Sequence, residues 1–177
     1  MADVWLNSYN ICKKYITNYR LGLDVGCRRG DWAKHMIKDF DHVIGWDYRN
    51  KSAHIRKIKN LDYSKFTFHN QGLGEDNYTT YTKSGVGKIK GVGNTKVQIR
   101  TIDSYNLDNV DFIKMDVEGY EPKVIAGAEQ TIKKFWPVLC VEINTPGNDS
   151  QQILESWGYV VKEIDDLQNH DYVFVKE

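Results

Sequence analysis

Apolar and polar positions alternate along this chain in two rhythms. Trp5, Tyr9, Cys12 and Ile16 recur at helical spacing and predict an N-terminal helix over residues 3–18. "RLGLDVG" follows as a short apolar run stopped by glycine, the pattern of a buried strand. After Gly30, Asp31 stands where a helix cap belongs, and Trp32, Met36 and Phe40 share the next helical face with Ala33 and Ile37 beside them. "HVIGWD" predicts a second strand, "KSAHIRKIK" a basic helix and "KFTFHN" a third strand. "VDFIKMD" is a buried strand, and "EPKVIAGAEQTIKKF" a helix with Pro122 in its first turn. "PVLCVEIN" returns to strand, "SQQILESWGY" is a short helix stopped near Gly158, and "YVVKEI" and "DYVFVK" close the chain as strands.

Strands alternating with helices imply an α/β fold, a three-layer sandwich around a mainly parallel sheet. The last two strands are joined without a helical pattern, so the last strand is expected to be antiparallel. An extra β-hairpin is expected around residues 76–101, where "NYTTYT" and "KVQIRT" flank "KSGVGKIKGVGNTK". That connection carries four glycines and four lysines but no acid, the composition of a long loop. The 177 residues suit one domain spanning 1–177, with neither repeat nor linker.

Composition narrows the function classes. Lys plus Arg and Asp plus Glu both number 24, so no global field draws the chain to nucleic acid or an anionic membrane. No apolar run approaches the roughly 20 residues of a membrane span, and the N-terminus lacks a signal-peptide core. Cys12, Cys27 and Cys140 are odd in number with no CxxC pair, which fits reduced thiols and a cytoplasmic location.

The turn "LGLDVGCRRGDW" carries the first chemical signal. In open α/β sheets ligands sit beyond the carboxyl ends of the strands, and the first strand–helix turn is the leading candidate. A dinucleotide site would read G-x-G-x-x-G; here Asp24, Gly26 and Gly30 give D-x-G-x-x-x-G. A carboxylate there repels pyrophosphate and attracts a cation. Asp47 ends the second strand, where an acid accepts both hydroxyls of a ribose. A cationic amino acid joined to a ribose describes S-adenosylmethionine. Cys27 and Tyr48 would flank that cofactor, and Asn70 or Gln71 would meet the adenine edge.

Residues 110–143, "VDFIKMDVEGYEPKVIAGAEQTIKKFWPVLCVEI", resemble the FkbM family of S-adenosylmethionine-dependent methyltransferases. The matching positions are Phe112, Ile113, Lys114, Asp116, Val117, Glu118, Gly119, Glu121, Gly127, Ala128, Pro137 and Glu142. "RTIDSY", "FTFHNQGLG" and "LDVGCRRG" resemble further family segments, and the likeness covers roughly residues 20–175. It implies a class I methyltransferase fold with a seven-stranded sheet, and O-methyl transfer, often to a sugar or polyketide hydroxyl. Two departures are Asp47-Tyr48-Arg49 in place of acid-Pro, and Cys27-Arg28 in place of Ala-Asn.

A hydroxyl is a poor nucleophile, so a base or a metal should assist. Asp116 is expected either at the methionine end of the cofactor or as the base, with Glu118 next. Lys114 shares the strand face of Asp116 and needs an acidic partner, expected to be Glu142. Asp116 and Glu142 are candidate ligands for Mg²⁺ or Mn²⁺, and His69 is an alternative base. Arg28, Arg29 and the lysine loop would suit an anionic group; Tyr78 and Tyr81 would stack on a sugar. The expected partner is a small-molecule or glycan acceptor. An RNA- or nucleotide-directed methyltransferase is the alternative supported by "RNKSAHIRKIK", and a non-catalytic cofactor-binding subunit is a third reading.

Overall fold

The computed structural model describes residues 4–49, 62–83, 93–165 and 170–177. The basic run 51–59 and most of the Lys/Gly connection lie outside the described residues.

Among the described residues ten strands form two sheets: β1 (Leu21–Val25), β2 (His42–Trp46), β3 (Phe66–His69), β4 (Gly72–Leu73), β5 (Tyr78–Thr82), β6 (Thr95–Arg100), β7 (Phe112–Met115), β8 (Val138–Glu142), β9 (Tyr159–Asp165) and β10 (Asp171–Lys176). The main sheet is seven-stranded in the order β3-β2-β1-β7-β8-β10-β9. Its pairs are parallel except where β10 runs against both β8 and β9. The last strand is thus the antiparallel one, as the missing crossover helix predicts. The hairpin β5–β6 pairs antiparallel, and β4 adds to it in parallel.

Period-two alternation sends each strand's side chains to opposite faces. On one face Phe112, Cys140 and Val173 meet Tyr9 and Cys12 of α1 (Val4–Lys13) and Met36 of α2 (Ala33–Met36). On the other, Leu23, Val25, Ile113, Met115, Leu139 and Val141 meet α3 (Glu121–Ala126), α4 (Glu129–Phe135) and α5 (Ser150–Ser156). The described helices have at most 10 residues. That is below the roughly 12–15 needed for a helix to hold alone, so these two cores hold them in place.

Three elements differ from the sequence pattern for identifiable reasons. The N-terminal helix ends at Lys13 rather than running to 18. Asp31 does not cap α2; the Ala33 N–H donates instead to Asp24 Oδ2 at 3.1 Å. The expected single helix after β7 is two, broken at Gly127, where an added Cβ would sit 1.9 Å from the Gly74 carbonyl oxygen. The second helix is capped from a distance. Asp103, in the short 3₁₀ turn Asp103–Tyr105, accepts the N–H groups of Gln130 (3.1 Å) and Thr131 (2.8 Å). Lys123 also pairs with Glu75 at 2.6 Å. These contacts tie the segment between the two sheets down onto α3 and α4.

Candidate functional site

The strand order reverses between β1 and β7: the sheet runs outward from β1 through β2 to β3, and from β7 through β8. This is the switch point where α/β sheets open a crevice. Gly26 turns out of β1 with φ +80°, and a Cβ on it would lie 1.8 Å from the Asp116 carbonyl oxygen. What approaches this glycine is the chain's own backbone, so the two strand ends converge. Beyond β7, Glu118 (φ +60°) and Gly119 (φ +90°) swing the loop away. Glu121 latches it: Oε1 accepts the N–H groups of Val117 (2.8 Å) and Gly119 (3.2 Å), and Oε2 accepts Asn148 Nδ2 at 2.9 Å. Glu121 therefore shapes the loop and does not face the cavity.

A cavity of about 220 Å³ opens over these strand ends. Its walls are Val25 and Gly26, residues 46–49, residues 71–73, and residues 116–120. Of the residues expected at the site, Gly26, Asp47, Tyr48, Gln71, Asp116 and Glu118 meet here. Trp46, Arg49, Leu73 and Tyr120 join them without having been expected. The aromatic just before Asp47 was the available signal for Trp46; Arg49 appeared only as a departure from the family pattern.

Asp47 is 4% exposed and saturated with donors. Oδ1 accepts the Arg49 backbone N–H (2.7 Å) and Arg49 Nε (3.1 Å); Oδ2 accepts the Arg28 backbone N–H (3.0 Å) and Arg49 Nη2 (2.9 Å). Gln71 is also engaged, accepting from the Tyr105 hydroxyl and donating to Gln98 Oε1 at 3.0 Å.

Asp116 lies at the cavity's inner edge, beside the buried Lys114. The Lys114 Nζ is 3.1 Å from Asp116 Oδ2, so Lys114 pairs with Asp116 and not, as expected, with Glu142. Glu142 instead hydrogen-bonds the Asp116 carboxyl. Burial favours a neutral Asp116, but the Lys114 ammonium and the Glu142 contact outweigh it and hold its pKa below the usual range. Glu142 is pushed up to about 8 by burial and by the charge of Asp116. Glu142 therefore holds its proton to higher pH than Asp116 does. Burial disfavours a charged Lys114, yet Asp116, Asp24 and Asp171 around it raise its pKa.

Several expected residues lie elsewhere. Asp24 is 1% exposed and outside the cavity wall. Alternation places it on the α2 side of β1, where Oδ2 takes the Ala33 N–H and Oδ1 has no hydrogen-bond partner. Burial raises its pKa to about 7 against the opposing pull of Lys114. Cys27 is packed in the core with α1 and α2, its thiol pushed well up by burial. Gly30 turns the loop with φ +75° but does not reach the cavity. His69 stacks behind Trp46 at 5.5 Å, its pKa lowered by burial, and Asn70 is exposed away from the cavity wall. Arg28 and Arg29 point their side chains to solvent.

The donor set does not fit a divalent ion. Asp116 already sits against the Lys114 ammonium at 3.1 Å, which opposes a second cation. Among the described residues no group of three or more His, Cys, Asp or Glu is arranged to hold a metal. No described helix is long and apolar enough to cross a membrane.

This sheet order, with its antiparallel last strand and its crevice at the β1–β7 switch, defines the class I methyltransferase fold. Residues 11–174 match the methyltransferase FkbM domain, and the chain belongs to that family. Among solved structures it resembles methyltransferase FkbM from Methylobacillus flagellatus KT, with a TM-score of 0.65 and 20% identity over 88% of this chain. This chain spans only 43% of that protein. It also resembles an rRNA methylase from Streptococcus thermophilus, with a TM-score of 0.60 and 7% identity over 97% of this chain and 95% of that one. A third likeness is to magnesium protoporphyrin IX methyltransferase from Synechocystis PCC 6803 with bound S-adenosylmethionine: TM-score 0.56, 13% identity, 99% of this chain and 80% of that one. A sequence search of curated proteins returns no match.

Proposed function

We propose that this chain is an S-adenosylmethionine-dependent O-methyltransferase acting on a hydroxyl of a sugar or glycan. The observation that carries the reading is the placement of two acidic side chains, Asp47 and Asp116, on opposite sides of β1 and facing one cavity. They suit the two polar ends of an amino-acid nucleoside, and the apolar wall of Val25, Trp46 and Leu73 suits its base. The cofactor would supply an electrophilic methyl group on a sulfonium.

Asp47 receives the ribose hydroxyls. Asp116, kept anionic by Lys114, receives the ammonium at the methionine end. Lys114 acts through Asp116 and is a positioning residue. Glu118 is exposed at the cavity wall and is the carboxylate left to orient the acceptor hydroxyl. Glu118 or water would take the proton of the acceptor hydroxyl when that oxygen accepts the methyl group the cofactor supplies. Asp24 supports the turn by capping Ala33, and reaches the site through its charge, felt by both Lys114 and Asp116. Tyr78, exposed on β5, hydrogen-bonds the Tyr120 hydroxyl at 3.2 Å. It extends an aromatic surface from the cavity mouth, a suitable bed for a sugar ring. The three buried free cysteines support a cytoplasmic location.

A radiolabelled methyl-transfer screen across sugars, glycans and RNA tests this reading. Label recovered as a methyl ether on a saccharide is the expected result. Label appearing in RNA alone, or in no acceptor, would overturn it.

A further inference from the structure

Asp47 has no acceptor capacity to spare. A carboxylate offers about four lone-pair sites. Two are taken by the backbone N–H groups of Arg28 and Arg49, at 3.0 and 2.7 Å. The other two are taken by Arg49 Nε and Nη2, at 3.1 and 2.9 Å. A ribose diol also needs two sites, one for each hydroxyl. It cannot displace the backbone donors without unwinding the turn that Gly26 and Cys27 build on the Trp46 carbonyl, through N–H bonds of 2.9 and 3.0 Å. It must therefore displace the guanidinium.

The displaced guanidinium enters a confined space. The Arg49 side chain is 18% exposed, and it already forms part of the cavity wall. A partly desolvated cation that loses its bidentate partner needs another anion. Asp116 is engaged by Lys114 and Glu142. Glu118 is exposed, and a solvated pair with it would gain little. The cavity itself thus supplies no equivalent replacement for Asp47.

We propose that Arg49 is the exchange residue of this site: it holds Asp47 until the ribose hydroxyls displace it, and it then offers its guanidinium to an anionic group, carboxylate or phosphate, on the acceptor. The inference rests on the cofactor reading above and narrows the acceptor to one that carries a negative charge near its hydroxyl. It also fixes an order, nucleoside first and acceptor second. The same exchange makes the two ligands bind cooperatively, because each removes a cost met by the other.

The test is calorimetric titration of S-adenosylhomocysteine into wild type, Arg49→Met and Arg49→Lys, with and without inorganic phosphate at matched ionic strength. Arg49→Met removes the competitor and should bind the nucleoside about tenfold tighter or more, the scale of one charged hydrogen bond lost from competition. Arg49→Lys keeps the charge without the fork and should fall between the two. Phosphate should tighten nucleoside binding to wild type by about threefold or more and leave Arg49→Met unmoved, the reciprocal coupling of an exchange. Equal nucleoside affinity in wild type and Arg49→Met, or an equal phosphate effect in both, overturns the exchange. Wild type that gives no heat with the nucleoside overturns the cofactor reading itself, and the exchange with it.

Discussion

Asp24 and Asp47 stand near the ends of neighbouring parallel strands and are both almost fully buried, yet they live in opposite electrostatic surroundings. Asp47 has four donors, two of them from a guanidinium. Asp24 has one N–H, an oxygen with no hydrogen-bond partner and a pKa raised to about 7. The difference comes from two residues of register: Asp24 pairs with Gly45 inside the sheet, and Asp47 stands two positions further on. Asp47 lies just past the end of β2, where the chain turns over the cavity, whereas Asp24 lies inside β1, where alternation points it at α2. Burial alone is therefore a poor guide to a ligand-binding acid; the place relative to the strand end and the donor set decide.

The largest effect should come from the third acid of the group. Asp116→Ala should lower methyl transfer at limiting cofactor by about 30–1,000-fold, the scale of a truncated buried charge pair of about 2–4 kcal/mol. Circular dichroism should show the fold retained, and single-turnover kinetics with labelled cofactor would check the loss. Gly26→Ala should cost about 2 kcal/mol or more, since a left-handed φ and a clash with the Asp116 carbonyl coincide there. Urea unfolding measures it, and a cost under about 0.5 kcal/mol would mean that the strand ends do not converge.

The contrast itself is sharpened by asparagine at each aspartate. Asp47→Asn should weaken S-adenosylhomocysteine binding by about tenfold, a hydrogen bond or two to a charged group. Asp24→Asn should change that affinity by less than about threefold, under 1 kcal/mol. Equal losses would erase the distinction. Asp24 should report instead on stability. It titrates at 3.8 in its ordinary state and at about 7 in the fold. Between those values the folded chain binds more protons, so stability falls as pH rises through that window. Glu142, moved from 4.5 to about 8, adds to the same slope. Asp24→Asn should therefore melt higher than wild type by a margin that grows from about pH 4 to about pH 7 and then levels off, on the order of 2–4 °C per kcal/mol. A margin independent of pH would contradict the raised pKa. The smallest effect belongs to Cys27→Ala, about 1 kcal/mol of packing with cofactor affinity unchanged.

The strand sequence was legible because its signal is local. Leu21, Leu23 and Val25 against Gly22 and Asp24 spell one alternation, and the apolar run of β7 spells another. The antiparallel β10 could be foreseen from a connection too short and too polar for a helix. What stayed hidden depends on contacts between distant segments. Asp103 caps a helix that begins 26 positions later, and Gly127 breaks a helix only because the Gly74 carbonyl presses on it. Asp24 could have been turned inward from the alternation of β1 alone, had its place in the motif not suggested a ligand. Lys114 did have the acidic partner its burial demands, but the neighbour two residues along its own strand won over the adjacent strand. The ion pair of Arg49 with Asp47 left no mark in the pattern of apolar residues, since both are polar and close in sequence.

The central claim is that the cavity over β1, β2 and β7 holds an amino-acid nucleoside by its pentose. A crystal structure of the complex with S-adenosylhomocysteine would test it most directly. Both ribose hydroxyls should lie within hydrogen-bonding distance of the Asp47 carboxylate, with the Arg49 guanidinium swung off it. A nucleoside found outside this cavity, or seated in it while Arg49 still holds Asp47, would contradict the account.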